Sequence, residues 1–270
     1  MRKASTWLVL LTVIAMMFVV AACTPQPAPK TEAPKAEKPA ATYKLVTPGQ
    51  ITVGSDTSFP PMESLEGNKA VGFDVDLMDA IGKEMGLKVV FQTEQFDTLI
   101  ASLQANKFDL IASSMTITDD RKKLIDFSDP MFDSNQSLAM KKGSKYNAPA
   151  DLKGKKIGVQ SGTTGEQWAT ENLKPAGATL VPFKTATEAF SALQAGNVDA
   201  VVNDLPVTVD LVKDPAKGLE IVKQIPTGEQ YGFAVNKSNP ELLKAVNAAL
   251  KKVKDSGEYD AIYKKWIGSK

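Results

Sequence analysis

A short stretch of this chain occurs twice. Leu103-Gln104-Ala105 followed by Asp109 returns as Leu193-Gln194-Ala195 followed by Asp199. In both copies an apolar helical segment precedes the motif and an apolar strand follows it. Phe96, Leu99, Ile100 and Leu103 have the spacing of one helical face, as do Ala189, Phe190 and Leu193, and strands are predicted over 110–113 and 200–203. A second matched pair opens the two copies: Gln50-Ile51-Thr52-Val53-Gly54 and Lys156-Ile157-Gly158-Val159-Gln160 are β-prone runs that break into a polar loop before a helix. A repeated unit that alternates strand with helix predicts largely parallel sheets covered on both faces. The chain is therefore expected to fold as an α/β protein of two like lobes.

Two further extended segments, 137–142 and 230–236, read as strands that cross between the lobes. The first lobe is then discontinuous, residues 43–138 plus 233–270, with the second, residues 139–232, inserted in it. A last helix over 241–254 and the aromatic Tyr259, Tyr263 and Trp266 are expected to pack back on lobe one.

The N-terminus belongs to neither lobe. Arg2 and Lys3 precede an almost uninterrupted apolar run over 7–20, and small residues lead to Cys23. This is the pattern of a secretory signal peptide over 1–22, too short and too abruptly ended for a spanning helix. Cys23 is the only cysteine of the chain, so no internal disulfide forms. Its setting resembles the site where bacterial lipoproteins accept diacylglycerol, which would hold the protein at a membrane surface. Residues 24–42 are Pro, Ala, Lys and Glu with little apolar surface to offset the entropy of ordering, a semi-extended tether. Loss of the leader removes two of the 32 basic residues, leaving 30 against 31 acidic ones. With no basic block interleaved with aromatics, a nucleic-acid partner is not expected.

In open α/β sheets ligands bind at the carboxyl ends of the strands. The loops there read Ser55-Asp56-Thr57-Ser58-Phe59, Ser113-Ser114-Met115-Thr116, Ser161-Gly162-Thr163-Thr164 and Asn203-Asp204-Leu205-Pro206. All are rich in hydroxyls or acids. Arg121 follows Thr118-Asp119-Asp120, a helix start; from position alone a surface arginine paired with Asp119 or Asp126 is the better reading, and a cleft guanidinium the other. Thr164 with Gln167 fits a capping box, which leaves backbone N–H groups at a helix N-terminus suited to a carboxylate. Asp204, at a strand end before Pro206, reads more often as a cap or turn than as a ligand for a cation. Phe96 reads as core.

The block 96–130, with Ser114-Met115-Thr116-Ile117-Thr118, Arg121 and Asp126-Phe127-Ser128-Asp129, resembles the bacterial extracellular solute-binding proteins of the polar amino acid family, family 3, which serve ATP-driven (ABC) importers. So do Asp56-Thr57-Ser58-Phe59-Pro60-Pro61-Met62-Glu63, Phe73-Asp74-Val75-Asp76 and Gly154-Lys155-Lys156-Ile157-Gly158-Val159. The resemblance spans nearly all of the chain past the tether. It implies a two-lobe periplasmic-binding fold of type II, each lobe a mostly parallel sheet flanked by helices, joined by two hinge strands and closing on a free amino acid. It also implies roles. Arg121 would grip the α-carboxylate, with Ser161, Thr163 and Thr164 near it; Asp204 would take the ammonium, with the Ser114 backbone and Thr116 hydroxyl opposite. Ser113 belongs to the same loop. Phe59 and Phe96 would stack on the ligand side chain, and Asp56 and Glu63 would meet its far end. Acids there favour a basic ligand, arginine or lysine, with glutamine the other candidate.

Two other classes compete. An enzyme on the same fold, a dehydratase or lyase, would use Glu63 or Glu166 as a general acid; a lipid-anchored sensor would present ligand to a receptor. The chain has no histidine, hence no Ser-His-Asp triad and no histidine-based metal site, and it carries no nucleotide-binding loop. No cofactor or metal is expected. A binding protein, acting as a monomer with a membrane permease as partner, is the reading preferred over an enzyme.

Overall fold

The computed structural model describes residues 42–268, so the leader, Cys23 and nearly all of the tether lie outside the described residues. The described chain opens with β1 (Gln50–Ser55), a small ribbon of β2 (Ser58–Phe59), β3 (Glu63–Glu66) and β4 (Lys69–Val71), then α1 (Phe73–Met85) and β5 (Lys88–Thr93). Next come α2 (Leu99–Gln104), β6 (Leu110–Ile111), α3 (Asp119–Leu124) and β7 (Asp126–Phe127). From β8 (Phe132–Lys141) the chain enters β9 (Lys156–Gln160), α4 (Thr164–Asn172), β10 (Thr179–Phe183), α5 (Ala186–Ala195), β11 (Ala200–Asp204) and α6 (Leu205–Val212). It returns through β12 (Leu219–Tyr231) to β13 (Ala234–Val235), α7 (Pro240–Asp255) and α8 (Glu258–Trp266).

The two main sheets repeat one plan. Their strand orders are β5-β1-β6-β13-β7 and β10-β9-β11-β8-β12. In each the first three strands run parallel and the fourth runs against both neighbours. The repeated aspartate has the same task in both copies. Asp109 accepts from the Thr52 N–H of β1 at 2.7 Å, and Asp199 accepts from the Lys156 N–H of β9 at 2.8 Å. Each thereby fastens the loop after its helix to the first strand of its own sheet. Two glycines match as well. A Cβ on Gly54 would lie 2.4 Å from the Phe108 ring, and one on Gly158 would lie 3.4 Å from Val198. Both sit where the residue before the aspartate crosses close over the first strand.

The crossing strands differ from expectation in one respect. Residues 137–142 do not cross: they pair with β11 and β12 inside the second sheet, with Met140 opposite Ala200 and Ser137 opposite Asn203. The first crossing lies upstream, where Phe132 and Ser134 face Tyr231 and Glu229. Phe132-Asp133-Ser134-Asn135 is rich in turn-forming residues, which hid its extended backbone, and the boundary of lobe one recedes accordingly from residue 138 toward 131.

Packing follows the helical faces. On α1, Phe73, Leu77 and Ile81 are sealed from solvent, and on α7 so are Leu242 and Val246, with Leu250 and Val253 nearly so. These fours-and-threes spacings are what brings α1 and α7 into contact. Tyr259, Tyr263 and Trp266 pack against the same cluster, as their sequence position predicts. The second lobe has its own core of Leu138, Ile157, Val159, Leu173 and Val202. Each such buried side chain contributes about 1.5–3 kcal/mol.

Candidate functional site

The ends of β1, β6, β9 and β11 meet across the gap between the lobes. One small cavity there is walled on the first lobe by Phe59, Phe96, Ser114, Thr116 and Arg121, and on the second by Gln160, Thr163, Thr164 and Asp204. The lobes are shut on one another. Gln160 Nε2 donates to Asp56 Oδ2 at 2.5 Å, and Arg121 Nη2 donates to the Gly162 carbonyl at 3.0 Å, each joining one lobe to the other.

Arg121 is brought in by its helix start. Thr118 is the N-cap of α3, its hydroxyl accepting from Arg121 N–H at 3.2 Å. The surface pairing does not form: Asp119 pairs with Lys122 and Asp126 with Lys237. Instead Nη1 donates to the Thr116 carbonyl at 2.8 Å, and the guanidinium lies 5.3 Å from the centre of the Phe96 ring. Burial pulls its pKa down, and the charges of Asp204 and Glu229 oppose that pull.

Asp204 ends β11 directly before α6 and makes no side-chain cap there. Its carboxylate turns to the cleft, accepting from Gln136 Nε2 at 2.6 Å and from the Tyr231 hydroxyl. Burial is the main cause that raises its pKa to about 7; the Glu229 charge adds to this, while the bonds from Tyr231 and Gln136 and the Arg121 charge work against it.

The helix start in lobe two sits one residue earlier than the capping box over Thr164 and Gln167 predicts. Thr163 is the N-cap of α4 and accepts from Glu166 N–H at 3.1 Å. The reason is backbone shape: Thr163 is extended, whereas Thr164 already belongs to the helix. Thr164 thus keeps its hydroxyl for the cleft.

The remaining expectations divide. Phe59 and Phe96 are both core and wall, 6% and 9% exposed. Asp56 does not border the cavity; it is buried behind Gln160, which donates to it, and it also accepts from Ser58 Oγ at 2.7 Å. Burial raises its pKa, those two bonds lower it, and the charges of Glu188 and Asp97 raise it further. Ser113 does not border the cavity; its hydroxyl accepts from Asp56 N–H at 2.9 Å and donates to Glu63 at 3.0 Å. Ser161 lies beside the site, its N–H donating to the Phe183 carbonyl at 2.9 Å. Glu63 does not reach the cavity. It is sealed beneath the loop, accepting from the hydroxyls of Ser113 and Ser114, each at 3.0 Å. β3 turns this side chain inward, so it supports the floor where the sequence had placed it against the ligand. Its neighbour Asp74 accepts from Ser114 N–H at 2.8 Å. Glu166, the other glutamate weighed as an acid, accepts from Gly162 N–H at 2.8 Å.

Gln136, Gln160, Glu229 and Tyr231 are the polar groups that sequence reasoning missed. Only Gln160 had a signal, as the last residue of a predicted strand.

Two duplicated lobes joined by paired crossing strands, closed over a cation and an anion that enter one cavity from opposite sides, define a two-lobed solute-binding protein. The chain belongs to the bacterial extracellular solute-binding proteins, family 3, whose family model matches residues 51–269. It is 40% identical over 226 residues to a probable histidine-binding protein of Neisseria gonorrhoeae, covering 82% of this chain and 84% of that protein. Among solved structures it is similar to an ancestral arginine-binding protein bound to arginine, with TM-score 0.79 and 46% identity over 82% of this chain and 99% of that one. A second, the ancestral arginine-binding protein bound to glutamine, gives TM-score 0.78 and 45% identity over 83% and 100% of the two chains. The fold is the two-lobe periplasmic-binding fold, and the family is one of binding proteins rather than enzymes.

Proposed function

We propose that this protein captures a free amino acid with a basic side chain, arginine or lysine, between its lobes and hands it to the permease of an ABC importer. One observation carries this reading: Arg121 of the first lobe and Asp204 of the second border the same enclosed space. A cation and an anion so placed complement a zwitterion. Arg121 takes the α-carboxylate through a planar fork, Asp204 the ammonium, and Phe59 and Phe96 the stem of the side chain. At the far end, behind Gln160, the carboxylate of Asp56, with the charges of Asp97 and Glu188 near it, favours a cationic tip. Glutamine is the second reading, because the Gln160 amide at that end matches an amide. Closure supplies affinity, since contacts from both lobes exist only in the shut form. Cys23 carries the lipid that holds this monomer at the outer face of the membrane; Cys23→Ser is expected to release it into the soluble fraction.

The test is a thermal-shift screen against the standard amino acids after unfolding and refolding to strip carried-over ligand. A ligand at a hundredfold excess over its Kd stabilises the fold by about 2.7 kcal/mol. A response confined to arginine, lysine or glutamine supports the reading, and silence across the whole set overturns it.

A further inference from the structure

The hydroxyls at the back of the cavity converge on a carboxylate that no strand-end loop supplies. Glu229 comes from β12 at the point where that strand leaves the second sheet. The pairing of β12 with β8 slips between Ile225 and Glu229. Asn135 Oδ1 holds the displaced backbone, accepting from Thr227 N–H at 2.9 Å and Gly228 N–H at 3.0 Å, while Gly228 supplies a left-handed φ of 65°. Bulges of this kind bend a strand and re-aim the side chain beside them. Past the bulge β12 is fastened to lobe one, with Tyr231 bridged to Thr116 and the Ile117 N–H donating to the Gln230 carbonyl at 2.8 Å.

Glu229 Oε2 then accepts from Thr116 Oγ1 of the first lobe at 2.9 Å and from Thr164 Oγ1 of the second at 2.8 Å. Gln136 Nε2 approaches both of its oxygens, at 3.1 and 3.2 Å. A hydroxyl has one proton to donate and lone pairs to accept with. Once each threonine has given its proton to Glu229, only lone pairs remain for whatever occupies the cavity, one of those on Thr164 being also approached by Gln136 Nε2 at 3.2 Å, and lone pairs take N–H and repel carboxylate.

We propose that Glu229 is a positioning and specificity-determining residue of the cleft: it draws the hydroxyl protons of Thr116 and Thr164, one from each lobe, onto a single oxygen, and so turns both hydroxyls into acceptors for the ligand's ammonium. The same pair of bonds ties the lobes together only when they are shut. This rests on the reading that the cleft takes an amino acid. It also moves the Thr164 hydroxyl from the carboxylate end of the ligand to the ammonium end.

The test is calorimetric titration of the unaltered protein, Glu229→Gln and Thr164→Val with arginine and with glutamine, each beside its des-amino analogue (5-guanidinopentanoate for arginine). If Glu229 sets the polarity of the hydroxyls, Glu229→Gln weakens binding of the amino acid by about tenfold and of the analogue by less than about twofold, as the loss of one charged hydrogen-bond relay to an ammonium requires. Thr164→Val reproduces the direction with the Glu229 carboxylate intact, and serves if Glu229→Gln does not fold. A purely structural role lowers both affinities together and leaves their ratio unchanged. That result overturns the proposal while the amino-acid reading stands. Failure of the unaltered protein to bind either amino acid overturns both.

Discussion

Binding of an ammonium beside Asp204 has a cost that depends on pH. Burial holds the Asp204 carboxyl at about 7, so near neutrality it is part protonated; an ammonium against it requires the ionised form. The proton must therefore leave as the ligand enters, and affinity rises with pH. With a pKa of about 7, about one site in eleven is ionised at pH 6 and about half at pH 7. The apparent Kd is then weaker than its alkaline limit by about elevenfold at pH 6 and about twofold at pH 7. Calorimetry with arginine at pH 6 in phosphate and in a buffer of high ionisation heat is expected to give heats that differ by about 0.9 times the difference between the two buffers' ionisation enthalpies, the mark of about 0.9 proton released per ligand. Asp204→Asn should bind weakly and show neither the pH slope nor the buffer dependence. A Kd flat from pH 6 to 8, with equal heats in both buffers, would refute the placement of the ammonium at Asp204.

Three other outcomes are expected. Arg121→Lys leaves the charge but cannot span the Thr116 and Gly162 carbonyls; loss of about 1.5–3 kcal/mol should weaken arginine binding by about 10- to 150-fold in the same titration. Gly162→Ala places a Cβ 3.0 Å from the Asp97 Cβ of the other lobe, so it opposes closure by about 1–3 kcal/mol, and solution scattering should give a larger radius of gyration with saturating arginine than the unaltered protein has. Glu63 and Asp74 lie sealed together, and burial raises both, Asp74 to about 7 and Glu63 well above the ordinary carboxylate range, with the charges of Asp74 and Asp56 adding to it. These folded values stand above the unfolded ones, so the pair's contribution is complete below the ordinary carboxylate range and is lost as pH rises through 7. The thermal midpoint should fall as pH rises from the ordinary carboxylate value of 3.8 toward 7, and Glu63→Gln should flatten that fall.

The sequence displayed this fold unevenly, and the reasons are local. Strands buried on both faces stand out as apolar runs, which is why β1, β9 and β11 were read within a residue or two and why the loops at their ends exposed Asp56, Ser114, Thr163 and Asp204. Arg121 and Asp204 each had an ordinary reading that position alone favoured over the functional one, an ion pair and a turn. Only similarity to the family separated them, and the structure then turned both side chains into one cavity. Gln136, Glu229 and Tyr231 were illegible because they stand on half-polar strands, Gln136 within β8 and the other two near the end of β12, where no helix start marks them. Their importance comes from a pairing between segments far apart in the chain. Glu63 failed differently: a carboxyl group sealed without a cation, which burial drives toward its neutral form, breaks the usual rule for burial, and nothing near it in sequence announces the two serine hydroxyls that hold it.

The place of β13 in the first sheet has a consequence for how the protein is made. This strand stands between β6 and β7, yet it lies beyond the whole second lobe in the chain. A polypeptide emerging from its N-terminus therefore carries the first sheet unfinished, with the inner edge of β6 unpaired and no α7 to cover α1, until residues 234–255 appear. Open strand edges and uncovered apolar faces are what aggregates. The second lobe, contiguous and nearly self-contained, can mature first, and the late strand then locks the older half shut. Such long-range pairing slows folding, so the interval before β13 arrives is the period in which this chain most needs a holding partner.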